Sequence, residues 1–257
     1  MYDFKNTKKG YWSDDRLLPA SAMRYDGIYL ENIIDGYRTL VVTGREMISL
    51  EMETENVHRG TKISTQKLNA REITVQFQLI EQDSEEFQRK FRQLMGLLYR
   101  KEDVEIIFND EPSIIYYGRY QSAETVPGDA NSITSSFTIY CQDPQKYSRE
   151  KKSGSQITVN SPIETTPSKI IVKLSRGSSI QIKNRTTGAL IKITSAAIYA
   201  GNTVTFDFAR GKVMVNGVNR TAILDLDSDF ENFYIHRGDM IECNNGTMDI
   251  YCREVYI

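Results

Sequence analysis

The chain has 257 residues, of which 40% are hydrophobic and 26% are charged. These values are typical of a folded protein with one large or two ordinary domains, and they argue against extensive disorder. The formal net charge is only −2, from 32 basic and 34 acidic residues. Such a balance gives no strong global field that would attract nucleic acid or an anionic membrane.

The sequence contains no apolar run that approaches the length of a transmembrane helix. Its first residues, Met1 to Lys9, lack the apolar core of a signal peptide, so we expect synthesis and folding in a cytoplasm. The three cysteines, Cys141, Cys243 and Cys252, fit a reducing compartment. Cys243 and Cys252 could meet across a hairpin, but buried free thiols are the favoured interpretation.

The first elements of the chain follow strand patterns. Residues 1–20 are polar with scattered aromatic side chains, so this segment either frays or packs on a neighbour. Apolar and polar residues alternate in Met47–Met52 and again in Glu72–Leu79, which predicts two strands with one buried face each. Between them, Glu53–Asn69 is long and polar and contains Gly60. A connection of this length is usually functional or mobile.

One helix is predicted to begin at Ser84, which is a good N-cap residue followed by two acidic residues in the first turn. Its apolar residues fall at helical spacing on a single stripe and comprise Phe87, Phe91, Leu94, Met95 and Leu98. Arg89, Lys90 and Arg92 lie off that stripe. The helix is therefore expected to pack on the sheet of a β-domain.

Strand patterns resume after the helix, in Val104–Phe108 and Ile114–Arg119, with a turn at Asn109–Pro112. Ser132–Cys141 alternates again and predicts a half-buried strand. Asp143-Pro144 should end that strand, because proline has no N–H for the sheet and restricts the residue before it. This stretch predicts a domain edge.

The second half of the sequence shows strand patterns only. Ser148–Pro167 is interpreted as a connector with one weak strand, Gln156–Asn160. The predicted strands beyond it are Ile170–Leu174, Ser179–Lys183, Ala189–Ile193, Thr203–Phe208, Lys212–Val215, Asn232–Ile235, Met240–Cys243 and Asp249–Arg253. Asn216-Gly217 is a strong hairpin signal. Short, regularly spaced strands without helices favour a β-sandwich.

No residue pattern predicts a catalytic or metal centre. The two histidines, His58 and His236, fall in different predicted domains and form no zinc pattern with the cysteines. There is no nucleophile elbow and no P-loop. We therefore predict no catalytic, cofactor-binding or metal-binding residues and no cofactor. A Ser-His-Asp arrangement stays open, because such triads are defined by geometry and not by sequence order.

Three short patterns have a functional and a structural interpretation. Asp225, Asp227 and Asp229 resemble the start of a calcium loop, but Phe230 stands where an EF-hand needs glycine, so a polar turn or strand face is favoured. Arg237-Gly238-Asp239 matches the cell-adhesion tripeptide, and a tight turn at Gly238 explains it. The basic run Lys146–Lys152 is interpreted as a solvated linker.

The order of several segments resembles the distal tail protein (Dit) family of siphophages that infect Gram-positive bacteria. The segments are Gly44-Arg45-Glu46, Leu68–Val75, Leu97-Leu98-Tyr99, Val104–Pro112, Tyr116–Arg119, Cys141–Tyr147, Val215-Asn216-Gly217 and Tyr234–Ile241. The resemblance spans nearly the whole chain and is closest in residues 44–147.

The resemblance implies a mainly β fold with two domains. Residues 1–147 would form a tail-tube-like split β-barrel with one flanking α-helix, and residues 148–257 a peripheral galectin-like β-sandwich. It also implies a virion structural protein at the phage tail tip, made in the host cytoplasm. The partners that it implies are other copies in a hexameric ring, single or stacked, the tail tube protein, the tail-associated lysin or fibre protein, and a receptor-binding or baseplate protein. It implies no membrane insertion and no specific nucleic-acid recognition.

Two segments are candidates for arms that reach a neighbouring subunit, namely residues 1–20 and Glu53–Asn69, because both are long and polar. Flexible surface loops are the alternative for both. Two other functions stay open. One is a glycan-binding adhesion module that uses exposed aromatic side chains such as Tyr199. The other is a tail-associated or peptidoglycan-degrading enzyme, which would need a histidine- or carboxylate-based site.

Overall fold

The computed structural model describes residues 18–125 and 130–257. The chain divides into two compact units, residues 1–144 with residue 257 and residues 145–256. Among the described residues, no helix combines the length and the apolar character needed to cross a bilayer. Most of the regular structure is β, as the sequence predicts.

In its described residues, the first unit contains nine strands and two helices. The strands are β1 (Met23–Tyr25), β2 (Ile28–Tyr29), β3 (Tyr37–Thr43), β4 (Leu50–Asn56), β5 (Thr61–Leu68), β6 (Arg71–Ile80), β7 (Val104–Phe108), β8 (Ile114–Ala123) and β9 (Ser132–Cys141). The helices are α1 (Leu30–Ile33) and α2 (Ser84–Leu98). Strands β1–β3 and helix α1 are absent from the sequence prediction.

Seven strands of the first unit form one sheet in the order β2-β1-β7-β8-β9-β6-β3. Every neighbouring pair in it is antiparallel. The long pairing of β6 with β9 runs from Arg71–Cys141 to Ile80–Ser132. The alternating strand residues and α2 supply one apolar cluster, which includes Val75, Phe137 and Phe87. Helix α2 therefore packs on this sheet, as expected.

The helix differs from its prediction in three respects. Asp83, and not Ser84, is the N-cap, and its side chain accepts a hydrogen bond from the Glu86 N–H at 2.9 Å. Lys90 is buried and pairs with Glu81, although its position lies off the apolar stripe. Met95, which the stripe includes, is 43% exposed. A buried lysine with a carboxylate partner is compatible with the core, and sequence periodicity does not reveal such a pair.

The prediction of a polar connection at Glu53–Asn69 is wrong, because this segment is mostly regular structure. Most of it belongs to the antiparallel hairpin β4–β5, which forms a two-stranded sheet of its own. The strand predicted at Met47–Met52 begins later, at Leu50. The polar composition of the segment hid the strands, because both strands are exposed and lack a continuous apolar alternation.

Nine of the eleven described strands of the second unit form two sheets around a second apolar cluster. The eleven strands are β10 (Lys146–Ser148), β11 (Lys151–Ser153), β12 (Lys169–Lys173), β13 (Ser179–Asn184), β14 (Leu190–Thr194), β15 (Thr203–Asp207), β16 (Lys212–Val215), β17 (Val218–Asn219), β18 (Ile241–Cys243), β19 (Thr247–Cys252) and β20 (Val255–Tyr256). One sheet has the order β11-β19-β12-β15-β16-β17 and the other β14-β13-β18, while β10 and β20 pair with each other. Both sheets contribute to the same core, which is the sandwich arrangement predicted.

Three predictions in the second unit need correction. Asn232–Ile235 and Gln156–Asn160 form no strands, although Ile235 and Gln156 each make an isolated bridge. Part of the basic run expected to be a solvated linker is strand β11, which pairs with β19. The Asn216-Gly217 turn is confirmed, with φ of 49° and 80° between β16 and β17.

Candidate assembly surfaces

The hairpin β4–β5 is the most exposed regular element of the first unit. Every residue of β4 is exposed, and so is every residue of β5 except Leu68. A lone two-stranded hairpin buries little surface and is only marginally stable in water. Its outer strand edges also offer unpaired N–H and C=O groups to another chain. These properties are typical of an element that is covered in an assembly.

The pairing register gives the hairpin two chemically different faces. Residues that lie directly opposite each other point to the same side. The pairs Leu50–Leu68, Met52–Gln66 and Thr54–Ile63 therefore share one face, here called the apolar face. A bulge at Ser64 of β5, opposite Glu53 and Thr54, keeps Ile63 on that side, because without the extra residue Ile63 would point the other way. The apolar face carries no charged side chain.

The opposite face of the hairpin is charged. It pairs Glu51 with Lys67 and Glu55 with Lys62 across the strands. Between them, Glu53 accepts hydrogen bonds from Thr65 Oγ1 at 2.6 Å and from Lys67 Nζ at 3.5 Å. Exposed pairs of this kind add little stability. They keep this face hydrated, so the apolar face is the side suited to burial against another surface.

A buried arginine fixes the base of the hairpin. Arg71 follows β5 closely in sequence and is 2% exposed. Its Nη1 donates to the carbonyl oxygens of Gly44 at 2.9 Å and Arg45 at 3.0 Å, and its Nε donates to that of Pro144 at 2.9 Å. Hydrogen bonds from a charged donor are stronger than neutral ones. Arg71 therefore joins the segments that precede and follow the hairpin.

The segment that precedes the hairpin is held by Gly44 and Arg45. Gly44 has φ of 87°, and a Cβ there would lie 2.1 Å from the Glu72 carbonyl oxygen, so no other residue fits without a shift of backbone. Arg45 binds Asp110 through Nη1 and Nη2 at 2.7 Å each, and its guanidinium carbon lies 4.6 Å from the Phe108 ring centre. This hydrogen-bonded pair lowers the pKa of Asp110 and raises that of Arg45.

The aspartates of the calcium-like pattern serve the fold of the second unit. Asp225 accepts hydrogen bonds from the Thr194 N–H and hydroxyl at 2.9 Å each, and Asp229 accepts one from the Leu190 N–H at 2.9 Å. Asp227 lies 3.4 Å from Lys192 Nζ. Three separate partners hold these carboxylates to strand β14. Across the described residues, no group of three or more histidine, cysteine or acidic side chains is arranged to hold a metal ion.

The Arg237-Gly238-Asp239 tripeptide is a structural turn. Gly238 has φ of 95°, as the turn interpretation requires. Asp239 is only 3% exposed and accepts hydrogen bonds from Asn184 Nδ2 at 2.8 Å and the His236 N–H at 2.9 Å. A carboxylate used in this way is not available to an adhesion receptor. His58 lies in the exposed turn of the hairpin, in the other unit from His236.

All three cysteines are free, and the structure gives none of them the environment of a nucleophile. Burial raises the pKa of both Cys141 and Cys252 to about 12, and it also raises that of Cys243. A thiol with so high a pKa carries almost no thiolate at neutral pH. Cys141 lies in the apolar cluster of the first unit, as its place in the predicted strand indicates.

The residues at the base of the hairpin were not predicted to act together. Gly44-Arg45 and Arg71 fall within segments that carry the family resemblance, which is the only sequence signal that marks them. The exposed hairpin corresponds to the Glu53–Asn69 arm candidate. Of the other arm candidate, residues 1–17 lie outside the described part of the chain.

Two family models match the chain, one in each unit. Residues 26–141 match the phage tail protein RIFT-related domain. Residues 160–256 match the C-terminal domain of the siphovirus-type tail component. The two matches define a siphophage tail protein and follow each other without overlap.

A curated relative and several solved structures agree with these matches. The distal tail protein of Bacillus phage SPP1 is 35% identical over 160 residues, which are 60% of this chain and 59% of that protein. The crystal structure of SPP1 Dit, described as a paradigm of the hub adsorption apparatus in phages that infect Gram-positive bacteria, superposes with a TM-score of 0.79 at 24% identity. The superposition covers 93% of this chain and 100% of the SPP1 Dit chain.

More distant likeness extends to the activated baseplate of phage p2. The structures with Ca and with Sr each give a TM-score of 0.56 at 9% identity over 90% of this chain, and the match covers 97% and 93% of theirs. At that identity the likeness shows the fold alone. From the family models and the curated relative, the chain belongs to the distal tail protein (Dit) family of siphophages.

Proposed function

We propose that this protein is a structural component of the phage tail tip, where six copies form a ring that joins the tail tube to the proteins below it. The observation that carries the proposal is the β4–β5 hairpin, a regular element whose apolar face is uncovered within the described residues. The SPP1 relative, named a distal tail protein, supports the same location in the virion.

The exposed hairpin favours a ring over a two-fold dimer. When a projecting arm of one subunit packs on a different surface of the next, the interface is heterologous and repeats around the assembly. Such an interface closes into a ring when the rotation between subunits divides a full turn. The base of the hairpin is fixed by Arg71 and Gly44, so each copy presents its arm in one direction.

The two units have different roles in this proposal. Residues 1–147 form the ring and its channel as a split β-barrel of the tail-tube kind, and residues 148–257 form a peripheral galectin-like sandwich. The tail tube protein binds on one side of the ring and the tail-associated lysin or fibre protein on the other. A receptor-binding or baseplate protein docks on the periphery. The ring is single or stacked in pairs.

The proposal assigns no enzymatic activity, cofactor or metal to the chain. Its thiols have raised pKa values, and its two histidines lie in separate units. Glycan adhesion is the alternative, and it rests on exposed aromatic side chains of the second unit such as Tyr199, which is 62% exposed. Micromolar binding on a glycan array that is lost in Tyr199→Ala would favour that alternative.

The experiment that tests the ring replaces residues 53–65 with Asn-Gly. Met52 and Gln66 are register partners, so a two-residue turn can join them without disturbing the base of the hairpin. We expect the wild-type chain to assemble in size-exclusion light scattering and the shortened chain to stay monomeric with an unchanged circular dichroism spectrum. Intact rings from the shortened chain would contradict the proposal.

A further inference from the structure

Helix α2 contains a glycine, Gly96, whose presence no contact with the described residues explains. Gly96 lies in the last turn of the helix, and a Cβ built there meets no described atom within 4 Å. Glycine is the poorest helix-forming residue apart from proline. Neither a positive φ nor a close approach by a described residue of this chain accounts for it. Glycine on an open helix surface is suited to close approach by another chain.

The surface around Gly96 is partly apolar. Tyr99 is 59% exposed and Met95 is 43% exposed, and the side chain of Arg92, one turn before Gly96, is exposed as well. Arg92, Met95, Gly96 and Tyr99 together are here called the α2 seat. Arg100 provides hydrogen bonds to carbonyl groups at the end of the helix. Its Nη1 donates to the Tyr99 carbonyl at 2.8 Å and to the Gly96 carbonyl at 3.3 Å. No residue in the described part of the chain covers the seat itself.

We propose that the α2 seat receives the apolar face of the β4–β5 hairpin from a second copy of this chain. The inference rests on the proposed ring and specifies its interface. The apolar face and the α2 seat have similar lengths. The apolar face extends from Leu50 to Thr54, the partner of Ile63, which is about 13 Å of strand. Arg92 to Tyr99 spans about 10 Å of helix.

The chemistry of the two surfaces agrees as well. Leu50, Met52 and Ile63 are 41%, 48% and 52% exposed and supply the apolar contact for Met95 and Tyr99. Glycine at position 96 lets the flat sheet face approach the helix backbone. Hairpin and seat are different surfaces of one unit, so the contact is head-to-tail.

A substitution at Gly96 distinguishes an effect on this interface from an effect on the folding of the subunit. Gly96→Leu should raise the melting temperature of the dissociated chain by roughly 2–4 °C, because leucine is the better helix former. The same change should weaken assembly at least tenfold, because its side chain fills the seat. Glu85→Leu is the matched control, since it is exposed on the same helix about 16 Å away. It should leave assembly unchanged.

A cross-link identifies the occupant. With Cys243→Ser as background, one preparation carries Met52→Cys and another carries Gly96→Cys, and the two are mixed under mild oxidation. Disulfide-linked dimers that form only in the mixture support the proposal. If Gly96→Leu assembles like wild type and the mixture gives no cross-link while rings persist, the α2 seat is refuted and the ring stands. A wild-type chain that never assembles would refute both.

Discussion

At the scale of single residues, the structure depends on a few polar side chains placed inside or beside the core. Arg71 binds three carbonyl oxygens, two of them before the hairpin and one at the end of the first unit. Tyr25 makes a similar link, because its hydroxyl donates to the Leu98 carbonyl at 2.9 Å and accepts from the Tyr120 N–H at 3.2 Å. Such buried groups define one arrangement of the segments that they join.

Replacing Arg71 with methionine tests the role of this side chain. Arg71→Met keeps an unbranched apolar stem but leaves three carbonyl groups without their donor, so we expect a loss of about 3 kcal/mol of stability in the first unit. Native-state hydrogen exchange should show this as roughly hundredfold faster exchange in β6. Peptides from the second unit provide the internal control. Unchanged protection of β6 would show that the arginine does not stabilise the sheet.

These polar residues also mark the limit of prediction from sequence. Arg71 begins a strand and Lys90 lies off the apolar stripe. The sequence predicts exposure for both, because a charged side chain is usually hydrated, but both are buried. Their burial depends on partners that are distant in sequence, such as Gly44 and Pro144 for Arg71. By contrast, the core of β6 and β9 follows simple alternation and could be predicted.

At the scale of elements, the strands with one buried face and the helix were predictable, and the exposed hairpin was not. Strands β12 to β16 fall within a residue or two of their predicted bounds, because apolar alternation and turn residues agree there. Among the described residues the hairpin β4–β5 is left exposed apart from Leu68, so its sequence carries little alternation. What was interpreted as a polar loop is an amphipathic hairpin whose bulge sets the face of Ile63.

The start of α2 gives a test at this scale. Asp83→Ala removes the side chain that accepts the Glu86 N–H, and we expect the helix to lose about 1 kcal/mol. Ser84→Ala changes the neighbouring residue, which is already helical, and should alter stability by less than about 0.5 kcal/mol. Hydrogen exchange of α2 peptides measures both. A larger effect for Ser84→Ala would mean that serine is the cap after all.

At the scale of the whole molecule, the chain combines two separate apolar cores with an uncovered arm on the first unit. Each unit has its own cluster of buried side chains. Neither unit presents a metal-binding cluster within the described residues. The Dit family, to which the chain belongs, is named for its place in the phage tail.

The most direct test of the ring is an image of the purified full-length protein. In negative stain at micromolar concentration, we expect six-fold rings with a central hole, and native mass spectrometry should give the mass of six chains. A protein that stays strictly monomeric in both measurements, or that forms only a closed two-fold dimer, would contradict the proposed ring.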